Sequence, residues 1–242
     1  MAKIPLPDIS NQHGLNNLHP YPIQIGKQTV EFIRATWFEI FLTNAVAELY
    51  AESSPEGWKS KAFSRMREQG IETSAISPGW DSLKNYMEYF RHANVHSAVI
   101  ALCSHWDWFI RKLSNFIFEY KDYLKIPTSV KNYKNIGMKP ILEQIEIIEK
   151  SLDISLSIKE ADKAILKVVS GIRNIGVHNR WEVDAKYLKS NPDNWKIGEI
   201  RIIESGELKN WGEVFVRCID AIAYDVAVTT KQFPKRNSNH IQ

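Results

Sequence analysis

From Val95 to Ile117 large apolar residues return every three or four positions: Val95, Val99, Leu102, Trp106, Phe109, Leu113, Phe116 and Ile117. That period marks one face of an α-helix. The face is broad, and a long helix with a broad apolar face is the central member of a bundle. The helical region opens near Asp81, a suitable cap, and runs to about Leu124 before Pro127 ends it. A break near His92 is allowed for.

Other segments repeat the pattern. Val30, Ile33, Trp37, Phe41, Ala45 and Leu49 predict a helix over 28–51, and a shorter one is expected over 55–69, closed by Gly70. Pro140 suits a first helical turn, ahead of Ile141, Leu142, Ile145 and Ile148. Ser157-Ile158-Lys159-Glu160 has the form of a capping box before Ala161, Ala164, Ile165, Val168 and Ile172. A last helix over 208–231 carries Leu208, Trp211, Phe215, Cys218, Ile222 and Val226. Between these two, 195–197 and 199–203 can form a short hairpin. The expected fold is an all-α antiparallel helical bundle with, at most, a short β-hairpin insertion. Its expected divisions are an extended Pro-rich arm over 1–27, a helical extension over 28–80, the main bundle over 81–232 and a polar, disordered tail over 233–242.

Composition narrows the function classes. The chain has 242 residues and a formal net charge of +3, too weak a field to argue for nucleic acid by itself. Between Asp107 and Lys139, seven cations stand against three acids. That local excess can follow a phosphate backbone, or be no more than a solvated helix face. Cys103 and Cys218 sit inside apolar helical patterns and read as buried thiols of a reducing compartment. No signal peptide is expected at the N-terminus, and the longest apolar run, Ala98 to Cys103, is far short of a membrane span. The expectation is a soluble cytoplasmic protein.

Chemistry concentrates in Ser170-Gly171-Ile172-Arg173-Asn174-Ile175-Gly176-Val177-His178-Asn179-Arg180-Trp181. On a wheel of ~100° per residue Arg173 falls ~120° from Ala161, Asn174 ~220° and His178 ~260°. Read against a stripe of Ile165, Val168 and Ile172, all three polar groups point away from the core. An imidazole exchanges protons near neutrality, and a guanidinium fork matches phosphate oxygens. His178 can therefore take the proton of a ribose 2′-hydroxyl while Arg173 meets the charge developing at phosphorus. Asn174 can orient the imidazole or donate to the oxyanion. The plainer reading is that His178 and Asn179 cap a helix end and Arg173 makes a surface ion pair.

Arg173-Asn174-Ile175-Gly176-Val177-His178 resembles the Arg-x(4–6)-His signature of HEPN domains (higher eukaryotes and prokaryotes nucleotide-binding), with Asn174 supplying the polar residue after the arginine. The resemblance covers about 81–231, where the motif falls late in an all-α chain and one core helix follows. It implies a metal-independent endoribonuclease of toxin, anti-phage defence or stress systems. Arg173 and His178 would be catalytic and Asn174 supporting, in a composite cleft of a homodimer acting on RNA, where each His178 serves as acid or base in turn. No cofactor is implied. An antitoxin or defence-complex partner is. Asn179, Arg180 and Trp181, directly after the histidine, are the substrate-binding candidates, Trp181 by base stacking. Toxins of this kind paired with nucleotidyltransferase antitoxins often carry tyrosine two positions after the histidine. Arg180 stands there, so control by modification of that tyrosine is not expected. The rival readings are an inactive relative that binds RNA or nucleotide or scaffolds a complex, and an all-α module whose arm over 1–27 docks a partner.

Two further clusters carry metal-binding or acid–base residue types. His92 and His96 share a helix face with Cys103, a spacing that can hold a metal but lacks a fourth ligand. Core histidines, or a His96 lying near the Arg173/His178 cleft, are the other options. His105 and Asp107 are two apart and do not face each other on a helix.

Overall fold

A computed structural model describes residues 18–53, 64–65, 67–68, 83–120, 133–191 and 194–233. Among them the elements are α1 (Pro20–Ser53), α2 (Leu83–Glu119), a short 3-10 segment (Tyr133–Met138), α3 (Ile141–Leu152), α4 (Glu160–Asn179), α5 (Ala185–Ser190) and α6 (Ser205–Thr229). The chain is all-α. Among the described residues no helix is long and apolar enough to cross a membrane.

The apolar face of α2 is the centre of the core, as its breadth requires. All eight of its stripe residues from Val95 to Ile117 are buried. α1, α4 and α6 each pack against it, and α6 also packs against α1 and α4. Trp106 is wholly enclosed, its ring edge-on to Phe215 with centroids 5.5 Å apart. Its indole N–H donates to Oε1 of Gln144 on α3 at 2.7 Å, so the one polar atom of that side chain is satisfied. The stripe predicted for the last helix is likewise buried from Leu208 to Val226.

Several sequence expectations are corrected. The arm over 1–27 does not extend to residue 27, because α1 begins at Pro20. Proline is tolerated there, since the first turn has no intrahelical partner for its missing N–H. Residues 1–17 and 234–242, and most of 54–82, lie outside the described residues. The stripe of α1 is buried only as far as Trp37. Phe41 is half-buried, and Ala45 and Leu49 are exposed. α2 runs unbroken past His92.

The capping box at Ser157 does not form. Lys159 is the N-cap of α4, while the Ser157 N–H and hydroxyl both donate to Asp225 of α6. No hairpin joins 195–197 to 199–203 either. A turn closes at this point, with Glu199 N–H on Lys196 O at 3.1 Å and Gly198 at φ 89°. The chain instead lies along 181–183, where Glu182 and Ile200 form an isolated antiparallel bridge.

Gly212 of α6 is packed under Trp37, and a Cβ there would sit 1.9 Å from the indole Cζ2. Glycine inside a helix ordinarily costs ~1 kcal/mol relative to alanine. Here the sign reverses, because overpacking a filled core costs about 1–3 kcal/mol. Gly212→Ala is therefore expected to lower the urea midpoint, whereas an open helical glycine replaced by alanine would raise it.

Asp220, also on α6, has a buried Oδ2 with no hydrogen-bond partner. Burial pushes its carboxyl up from 3.8 to about 6, against the pull of Arg34 and Lys27. Between those two values the folded chain holds this proton more tightly than the unfolded chain does. Its contribution to stability therefore falls as pH rises through that window. Asp220→Asn should raise the thermal midpoint at about pH 8 and leave no such gain below about pH 4.

Candidate functional site

The buried side of α4 is Asp162, Leu166, Val169, Ile172 and Ile175. Ala161 and Ala164 are exposed, so the stripe sits further round the helix than small apolar residues suggest. Asp162 lies in it because Arg217 of α6 meets its carboxylate at 2.8 Å. This rotation changes the fate of the motif. Arg173 does not point away from the core with Asn174 and His178. It falls on the inner side of α4, half-buried, with Nε enclosed and without a hydrogen-bond partner. Its Nη1 donates to Asn174 Oδ1 at 3.2 Å.

Arg173 opens on a pocket of about 280 Å³ between α2, α3 and α4. Asp107 and Cys103 line it from α2, Gln144 from α3, and Ser170 and Asn174 from α4, with the 137–141 segment on the remaining side. Burial pushes the Cys103 thiol up to about 12, with Asp107 adding to the effect and Arg173 opposing it. That thiol stays protonated and is no nucleophile. Burial also raises the Asp107 carboxyl, opposed by the hydrogen bond from Gln144 and by the charges of Arg173 and Arg111.

His178 is exposed in the last turn of α4 and does not line this pocket. It follows Asn174 by four residues, so the two share a side of the helix. From Arg173 it is five residues on, ~140° round the helix. The helix closes on Arg180, left-handed at φ 52°, followed by Trp181 at φ 69°. Ile175 O accepts the Trp181 N–H at 3.1 Å, satisfying a carbonyl of the last turn.

The three substrate-binding candidates separate. Arg180 is exposed. Asn179 donates to Asp184, which caps α5 by accepting the Tyr187 N–H at 2.6 Å. Trp181 lies face to face with His96 of α2, centroids 3.9 Å apart and planes 8° from parallel. Its other neighbour is Gly176, where a Cβ would meet the indole at 2.5 Å. One face of the ring proposed for base stacking is thus already covered by an imidazole. Burial lowers the pKa of His96, with His92 adding to this and the hydrogen bond to Arg201 O opposing it. Among the described residues no group of three or more His, Cys, Asp or Glu is placed to hold a metal. His105 shares a 3.0 Å hydrogen bond with Thr36 and stacks on Phe32, away from Asp107.

Asp107, Gln144 and Ser170 are not site candidates by sequence: Asp107 enters only in the local charge balance and beside His105, Gln144 not at all, and Ser170 only at the head of the motif segment. The first two carried a signal: each is a polar residue set into an apolar helical stripe, beside Trp106 and Ile110 in one case and Ile141, Ile145 and Ile148 in the other. No protein-family model matches the chain, and neither a curated protein nor a solved structure matches it.

Proposed function

We propose that the chain is a metal-independent endoribonuclease of the HEPN type, acting as a homodimer in a toxin, anti-phage defence or stress system. The observation that carries this reading is the state of the motif side chains on the last two turns of α4. His178 is exposed and makes no hydrogen bond among the described residues, Asn174 is exposed beside it, and Arg173 closes no ion pair there. Neither His178 nor the Arg173 guanidinium is committed to a carboxylate among the described residues, which leaves both able to engage a phosphodiester. His178 takes the 2′-hydroxyl proton, the freed oxygen attacks phosphorus, and the 5′-oxygen leaves with a proton returned by an imidazole, giving a 2′,3′-cyclic phosphate. Arg173 meets the charge on the non-bridging oxygens.

Because Arg173 and His178 leave the helix ~140° apart, a two-fold pair supplies the complete set more readily than one protomer. Arg173 of one protomer then works with His178 of the partner subunit. The same divergence favours a second reading: a chain that stays monomeric would bind RNA or nucleotide without cutting it. RNA cleavage in chelator by the wild type and by His178→Ala tests the proposal. A cyclic phosphate product that disappears in the variant supports it, and cleavage that survives in clean preparations overturns it.

A further inference from the structure

Asp107 and Arg173 line one pocket with opposite charges, yet among the described residues they do not pair. Neither belongs to an ion pair, although other charged residues of α4 do, Asp162 with Arg217 of α6 and Lys163 with Glu160. Among the described residues the only hydrogen bond to the Asp107 carboxylate is a long one, 3.3 Å from Gln144 Nε2, and Arg173 donates only to Asn174. Lys139, at the rim, is held at 2.8 Å by Glu143 and so is not the counter-ion of Asp107. A half-buried carboxylate and a half-buried guanidinium facing the same space without meeting leave one acceptor set and one donor set for a ligand between them.

We propose that this pocket is a guanine subsite for the RNA strand. A carboxylate accepts two adjacent N–H donors. Among the four RNA bases only guanine offers them side by side on its pairing edge, N1–H and the 2-amino group. Adenine and cytosine set a lone pair beside their amino group, which a carboxylate repels, and uracil has a single N–H between two carbonyls. With the base edge on Asp107, the acceptor end of the nucleotide, its phosphate, comes to Arg173. The pocket's size agrees: about 280 Å³ lies just below the roughly 300–1,000 Å³ of ligand pockets, the scale of one base rather than a large cofactor. Gln144 is pinned by Trp106 and by Lys139 O at 2.8 Å, so the wall that steadies Asp107 is rigid. Asn174 also lines the pocket, and it precedes His178 by one helical turn, ~6 Å along the axis, on the same side of α4.

The assignment rests on the ribonuclease reading for its biological sense, but its test does not depend on cleavage. Titration calorimetry of the full chain with guanosine, inosine and adenosine 5′-monophosphates should give the tightest binding to guanosine, roughly tenfold weaker binding to inosine, which lacks the 2-amino group, and weaker still to adenosine. Asp107→Asn should lose at least about tenfold in guanosine affinity and little in adenosine affinity. Equal affinity of the wild type for the three nucleotides overturns the subsite, and so does a folded Asp107→Asn chain with unchanged preference. The wild-type series decides the matter if that variant does not fold. Guanosine selectivity without RNA cleavage would uphold the subsite and sink the nuclease reading. RNA cleavage with no preference for guanosine beside the cut would do the reverse.

Discussion

Replacing His178 by alanine should lower RNA cleavage in chelator by roughly 10²–10⁴-fold, the range attached to loss of a positioned general acid or base. His178 is exposed and contributes no core contact, so the thermal midpoint should stay close to that of the wild type. Arg173→Ala should also abolish cleavage, since no other cation among the pocket's described residues is free of a carboxylate. The two inactive chains then offer a sharper measurement when mixed. If each cleft joins Arg173 of one protomer to His178 of the partner subunit, a mixed dimer keeps one complete cleft. Random pairing makes half of the dimers mixed, so about a quarter of wild-type activity should return. Recovery of nothing on mixing, with dimers present, would mean that each cleft draws both groups from one chain.

Trp106→Ala should have the largest effect on stability. The side chain is wholly enclosed, and a buried tryptophan truncated to alanine costs about 3–5 kcal/mol. The loss also strips Gln144 Oε1 of its donor at a buried position. Against the 5–15 kcal/mol of an ordinary domain that is a large share, and urea unfolding should show it as a much lower midpoint. Trp106→Phe should cost less, because most of the ring volume stays and the hydrogen bond is the main loss. A Trp106→Ala chain as stable as the wild type would mean that α2 is not the centre of the core.

The elements that were legible from sequence are those whose apolar residues are large. On α2 and α6 every bulky stripe residue is buried, since such side chains have nowhere else to go. On α4 the expected stripe of Ala161, Ala164, Ile165, Val168 and Ile172 passes over Leu166 and Val169, which are the buried pair, because apolar residues stand on both sides of the true centre. The true stripe includes Asp162, which the sequence around it gives no reason to bury. Its warrant is Arg217, fifty-five residues on. The same rotation explains why Arg173 was expected outside with His178 and is found facing α2. The local spacing at Ser157 predicts a cap, but Asp225, brought alongside by α6, takes both of its donors. The motif itself was legible, while its pocket was not. Asp107 and Gln144 come from α2 and α3, and only the packing of α4 between them turns two polar interruptions of apolar stripes into the walls of one cavity.

The indole of Trp181 rests flat against His96 on one side and against bare backbone at Gly176 on the other. These three positions behave as a lock with its key and its keyhole. A side chain added at 176 expels the ring, loss of the ring leaves the imidazole facing an unfilled slot, and loss of the imidazole uncovers one face of the ring. A change at 176 or at 181 is therefore felt at His96 of α2, well outside the motif segment.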